Sequence, residues 1–187
     1  ATLWHGVLLK TISMLRSEAP DIAVSATAAL PDVLTQRLIE GTLDLAVMYR
    51  PIQPPGHTVE HLFDEEFVLV TSGRAGQRKG NTDYVFINWG PDFQQDHAAA
   101  YPELIKPGLS LDLGSMPLEY VLANELSAYF PMRLVKPYLS RGRLKQPKRA
   151  RRFVYPVYLV YPEARDEEAY EPILDRLRRE CGRYASD

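Results

Sequence analysis

The chain has 187 residues, 45% of them hydrophobic, with 22 Lys and Arg against 24 Asp and Glu for a formal net charge of -2. That balance fits a soluble globular composition able to bury one large core or two small ones, and it gives no general attraction to nucleic acid. No apolar run approaches the ~20 residues of a membrane span, and the single Cys181 excludes an internal disulfide or a cysteine zinc knuckle, as in a reducing compartment.

In chain order, Trp4, Val7, Leu8, Thr11, Ile12 and Leu15 recur at helical spacing, and Pro20 ends the helix. The chain opens directly in this pattern and so reads as a fragment whose start lies upstream. Residues 21–27 alternate like a short strand. Pro31 and Asp32 open a second helix carrying Val33, Leu34 and Leu38, with Gly41 as its stop. Asp44–Tyr49 is an apolar run of strand length, so strand, helix and strand predict a βαβ unit in a parallel sheet. Two strands follow at 58–63 and 66–71, then a Gly- and Arg-containing crossover over 72–83. A second set of elements comes next, with strands at 84–88, 109–113 and 126–130 and helices at 91–101, 117–124 and 132–141. A strongly β run, Phe153–Tyr161, leads to a closing helix with Tyr170, Ile173, Leu174, Leu177, Cys181 and Tyr184 on one face. The alternation predicts an α/β architecture with two small sheets. In the first of these, a parallel sheet holding only the two opening strands lacks a neighbour at its centre.

His57-Thr58-Val59-Glu60-His61 matches the H-x-x-E-H zinc motif, whose chemistry needs both histidines on one helical face. Pro54, Pro55 and Gly56 upstream favour a strand instead, where Glu60 points away from both histidines, so no metal or catalytic role is assigned. Arg141, Arg143, Lys145, Lys148, Arg149, Arg151 and Arg152 form a basic run without aromatic interleaving, and it reads as a solvated loop. Asp166–Glu168 suits the N-terminus of the last helix, Asp64–Glu66 reads as solvent-facing, and His5 and His97 have no evident partner. Hydrolase and nucleotide motifs are absent, so the chain reads as a binding module without cofactor.

Ligands of open α/β sheets bind beyond the carboxyl ends of strands. Thr27 follows the 21–27 strand, Tyr49 and Arg50 the next, and Asn88, Trp89 and Gly90 the first strand of the second set. Gly114, Ser115 and Met116 follow 109–113, and Ala1 and Thr2 open the first helix, whose free N–H groups suit a carboxylate. Arg50 is the candidate charged anchor, because its planar fork matches a carboxylate.

Several phrases, in order along the whole chain, resemble the effector domain of LysR-type transcriptional regulators. They include Ala19-Pro20-Asp21-Ile22 after the first helix, Leu38-Ile39-Glu40-Gly41-Thr42-Leu43-Asp44-Leu45-Ala46-Val47, Leu62 to Val70, and Val121-Leu122-Ala123 followed by Pro131 and Leu134-Val135. Asn124 and Leu126 depart from the family, which has glycines there. The resemblance implies two Rossmann-like subdomains with a hinge, as in type II periplasmic binding proteins. Subdomain I would comprise 1–72 and 154–187, subdomain II 83–150, and the crossover segments 73–82 and 151–153. It also implies a first strand ahead of Ala1, filling the vacant central place. A small organic effector, a carboxylate among the candidates, would bind between the subdomains at the eleven strand-end residues just named. Binding would modulate transcription through an absent N-terminal winged helix-turn-helix that holds DNA. The implied assembly is a homodimer or homotetramer in the cytoplasm, away from any membrane. A periplasmic solute-binding protein of the same fold is the alternative.

Overall fold

The computed structural model describes residue 3 and residues 7–73, 75, 83–111 and 116–185. The chain divides into two compact units, one made of residues 1, 3–65 and 155–187 and the other of residues 2 and 66–154.

In the first unit, helices α1 (Leu8–Glu18) and α2 (Pro31–Ile39) precede strand β1 (Ala46–Tyr49). Strand β2 (His57–Ser72) runs without a break where the sequence suggests two strands, because residues 64–66 stay extended between the apolar stretches on either side. The chain later returns through β7 (Phe153–Pro162) and closes with α6 (Glu167–Ala185). β7 lies between β1 and β2, and it pairs antiparallel with β1 from Ala46 opposite Val160 to Tyr49 opposite Val157. Alternating side chains of these strands serve two cores. Val47, Val157 and Leu159 pack with Leu174, Leu177 and Cys181 of α6 and with Val7, while Ala46, Met48 and Val160 pack with Leu34 and Leu38 of α2. Asp166 caps α6 by accepting from the amides of Glu168 and Ala169.

Two expectations need correction in this unit. β1 is antiparallel to its partner β7, so no parallel βαβ pair forms here among the described residues. Residues 22–30 adopt no regular structure, although their sequence alternates. A strand needs a partner for its amides and carbonyls, and none of the described segments supplies one. Residues 22–27 and 43–47 instead line a shared apolar groove of about 290 Å³, floored by Leu8, Leu15, Ile173 and Leu177.

The second unit holds β3 (Phe86–Ile87), α3 (Pro91–Ala100), β4 (Ser110–Leu111), α4 (Met116–Asn124), β5 (Ser127–Pro131), α5 (Met132–Ser140) and β6 (Leu144–Lys145). The end of β2 pairs antiparallel with β5, from Phe67 opposite Pro131 to Thr71 opposite Ser127, and with β6 at Thr71 and Ser72. β3 and β4 pair in parallel, and Tyr84 makes a parallel bridge to Ser127. The core gathers Val68, Val70, Val85, Ile87, Val121, Ala128, Phe130 and Val135, all nearly inaccessible.

Candidate functional site

Tyr49 and Arg50 stand together at the C-terminal end of β1. Arg50 has a φ of 40°, left-handed backbone that a non-glycine residue adopts at a cost of roughly 1–2 kcal/mol. Its exposed guanidinium lies over the Tyr155 ring, 5.8 Å from the centroid. The Tyr49 hydroxyl donates to Glu65 Oε2 at 2.6 Å, and Glu65 is only 3% exposed. For Glu65 this corrects the reading of Asp64–Glu66 as solvent-facing, while Asp64 is exposed and Glu66 partly so. Phe63, Glu65 and Phe67 share parity on β2, so the middle residue turns inward with its buried neighbours. Glu65 and Tyr155 are the residues that sequence reasoning missed here, and strand parity was the available signal for Glu65. The arrangement sets a guanidinium on an aromatic ring and a carboxylate on a phenol at the end of β1, polar groups of the kind that can hold a small charged molecule.

Thr27 is exposed and lines the apolar groove. Ala1, Thr2, Gly114 and Ser115 lie outside the described residues, and Met116 opens α4.

In the second unit the structure brings Asn88, Trp89 and Gly90 together at the end of β3. Asn88 Oδ1 accepts from the Gly90 amide at 3.1 Å, a local turn, and the Asn88 amide donates to the Leu111 carbonyl. Gly90, with a φ of 116° that disfavours a side chain, is the N-cap of α3 and is followed by Pro91 at its first position. Trp89 is half-buried, its Nε1 donating to the Tyr129 carbonyl at 2.8 Å and its ring meeting Phe67 and Phe130. Trp89 thus anchors the turn, leaving open space beside the Gly90 backbone at the α3 N-terminus.

His97 also departs from the expectation of an isolated histidine. It is 2% exposed, stacked on Tyr84, and its Nε2 lies 2.7 Å from the Tyr84 hydroxyl. Phe86, Phe93, Tyr101, Tyr129 and Phe153 surround it. Burial holds the imidazole below the usual histidine range, partly opposed by the Glu103 charge. Burial likewise pushes the Tyr84 and Tyr129 phenols up. Tyr129 donates to the Arg151 carbonyl and shares a 2.8 Å hydrogen bond with the Tyr101 hydroxyl, which in turn accepts from the Arg151 amide, so the end of α3 is tied to the start of β7.

The H-x-x-E-H residues are engaged singly. His57 Nδ1 meets the Pro55 carbonyl, His61 meets Asp64, and Glu60 accepts from Arg178 and Tyr161. Among the described residues, no group of three His, Cys, Asp or Glu side chains is placed to hold a metal ion. No helix among them is long and apolar enough to cross a membrane.

Comparison with known proteins adds a family. A profile of the LysR substrate binding domain matches residues 1–182, whereas no curated protein matches the chain. Among solved structures, it resembles the C-terminal domains of a LysR family protein from Agrobacterium tumefaciens, at 15% identity and a TM-score of 0.77, over 97% of this chain and 93% of that one. The reduced OxyR regulatory domain from Pseudomonas aeruginosa gives 17% identity and a TM-score of 0.72, over 95% and 93%. A hydrogen peroxide-bound OxyR cysteine mutant from Corynebacterium glutamicum gives 20% and 0.70, over 99% of this chain but 63% of that one. The chain therefore spans about two thirds of that OxyR chain.

Proposed function

The chain belongs to the LysR substrate binding domain family, with its periplasmic-binding-protein-like fold, and from that premise we propose that it senses a small organic effector for a bacterial transcriptional regulator. Effector binding shifts the balance between conformations of unequal affinity, and DNA binding by a winged helix-turn-helix elsewhere in the regulator follows. The module is a cytoplasmic binding domain rather than an enzyme, working as a dimer or tetramer. Subdomains bounded near 1–72 with 154–187 and near 83–150 move about crossovers at 73–82 and 151–153. Of the first crossover only Gly73 and Ala75 are among the described residues.

The observation that carries this reading is the family match over 1–182, together with Arg50 held in a left-handed conformation at a strand end. Arg50 anchors a carboxylate, aided by Thr27 or by Thr2, which lies outside the described residues. Asn88, Trp89 and Gly90, with 114–116 and the start of the first helix, complete the ligand set.

The test is a thermal-shift screen of small carboxylates, followed by calorimetry of any ligand found, on the native chain and on Arg50→Ala. Losing a charge-assisted bond should cost about 1.5–3 kcal/mol, or roughly tenfold or more in Kd. Unchanged affinity removes Arg50 from the site. Operator binding by the full-length regulator that ignores the ligand removes the regulatory role.

A further inference from the structure

Between Glu125 and Glu163 the chain contains no acidic residue, while nine Lys and Arg fall in that span. All of them belong to the second unit, which holds thirteen Lys and Arg against eight Asp and Glu, a net charge of +5. The first unit carries nine against sixteen, or -7. The near-neutral total therefore conceals two opposed halves, and the charge that offsets the basic run lies in the other unit.

The structure presents that run as a surface strip. Arg141 and Gly142 turn the chain out of α5, β6 fixes Leu144 inward at 2% exposure, and a second turn carries Lys148 and Arg149. The side chains of Arg141, Arg143, Lys145, Lys148, Arg149 and Arg151 are exposed. Two are braced on rings, Arg143 over Tyr138 at 5.5 Å and Arg151 over Phe153 at 5.7 Å. Among the described residues Arg152 pairs with Glu66, while Arg141, Lys145, Lys148 and Arg149 make no ion pair.

We propose that this strip docks on the phosphate backbone of duplex DNA without reading its sequence. The strip has several uncompensated cations and no exposed apolar side chain between Arg141 and Arg152, because Leu144 points inward. A protein interface needs an apolar or aromatic centre. Single-stranded nucleic acid needs open aromatic platforms, and Tyr138 and Phe153 are already covered by arginines. A phosphate ladder asks only for spaced cations and releases condensed counterions when they arrive. The strip shares no residue with the strand-end set, so the inference does not depend on the effector reading.

Fluorescence anisotropy of a labelled duplex of arbitrary sequence, titrated with this chain, tests the proposal. If four or five phosphates are contacted, the log–log dependence of affinity on salt should have a slope of about -4 between roughly 50 and 200 mM. Lys148→Glu with Arg149→Glu should weaken binding at least about tenfold, since each lost contact also lowers the slope by about one. Lys10→Glu with Arg179→Glu, the same charge change outside the strip, should weaken it far less. Circular dichroism establishes that both double variants fold. No binding at the lowest salt overturns the proposal, as does equal weakening by both double variants. Equal binding to polyglutamate or to anionic lipid vesicles overturns the assignment to DNA.

Discussion

In the first unit an apolar groove of about 290 Å³ lies beside a strand bonded on one edge, whereas in the second the core closes around a histidine packed among aromatic rings. Both units are written in the same alternation of strands and helices. The difference shows that alternation specifies which face is buried, but a strand forms only when a partner accepts its hydrogen bonds. Residues 21–27 have the pattern of a strand and no ladder among the described residues, while Phe86–Ile87 form a two-residue ladder because Ser110–Leu111 lie alongside.

Closing the groove should produce the largest effect. We propose that the groove between residues 22–27 and β1 accepts an extended apolar segment as a further strand. Burying two or three apolar side chains there should add about 3–9 kcal/mol. The β1 amides of the 187-residue chain should then exchange faster than those of a chain carrying such a segment. Equal protection and equal urea midpoints in the two chains would show that the groove is not a strand slot.

Next in size is a cavity in the closed core. Phe93 is 2% exposed and meets Phe67, Phe86, His97, Tyr129 and Phe153, so Phe93→Ala should cost about 3–5 kcal/mol in urea unfolding. Leu15→Ala, in the lining of the groove, should cost less, since part of its surroundings is already empty. Similar losses at both positions would break the contrast between an open and a closed core.

Acid should also separate the units. The His97 imidazole, depressed by burial from 6.5, makes the unfolded chain take up a proton first. Its contribution is fully present above pH 6.5 and falls as pH drops toward the folded-state value. Glu60 is lowered from 4.5, chiefly by its hydrogen bonds from Arg178, so its contribution to the first unit is present above 4.5 and lost as pH falls through the folded value. Near-ultraviolet signals from the aromatic core should therefore weaken at a higher pH than those reporting the first unit. Substituting His97→Gln should flatten the decline that begins below 6.5, and an unaltered profile would remove His97 as its origin.

These contrasts also mark what the sequence could disclose. The β run Phe153–Tyr161, the capping by Asp166 and the amphipathic last helix were legible, because each depends on local chemistry and on periodicity. Arg50 and Tyr49 were legible as residues at a strand end. Their partners were not, because Glu65 and Tyr155 arrive from strands distant in sequence. His97 looked isolated for the same reason, since its cage is assembled from β3, β5, β7 and α3.

The smallest effect concerns the turn after α4. The residue that adopts the left-handed backbone there is Glu125, between Asn124 and Leu126, with a φ of 53°. A side chain there is strained by roughly 1 kcal/mol, which glycine would relieve while adding entropy to the unfolded chain. Glu125→Gly alone should therefore change stability by less than about 1 kcal/mol. The position is coupled to Gly73, where an added Cβ would lie 2.6 Å from Glu125 Cγ and 2.7 Å from its Oε1. Gly73 has a φ of 52° as well, so Gly73→Ala suffers both backbone strain and the collision. In combination with Glu125→Gly only the backbone part should remain. A double-mutant cycle measured in urea should then show the pair costing less than the sum of the single changes. Strict additivity would mean that the Glu125 side chain swings aside at no cost, and that backbone geometry alone sets this turn.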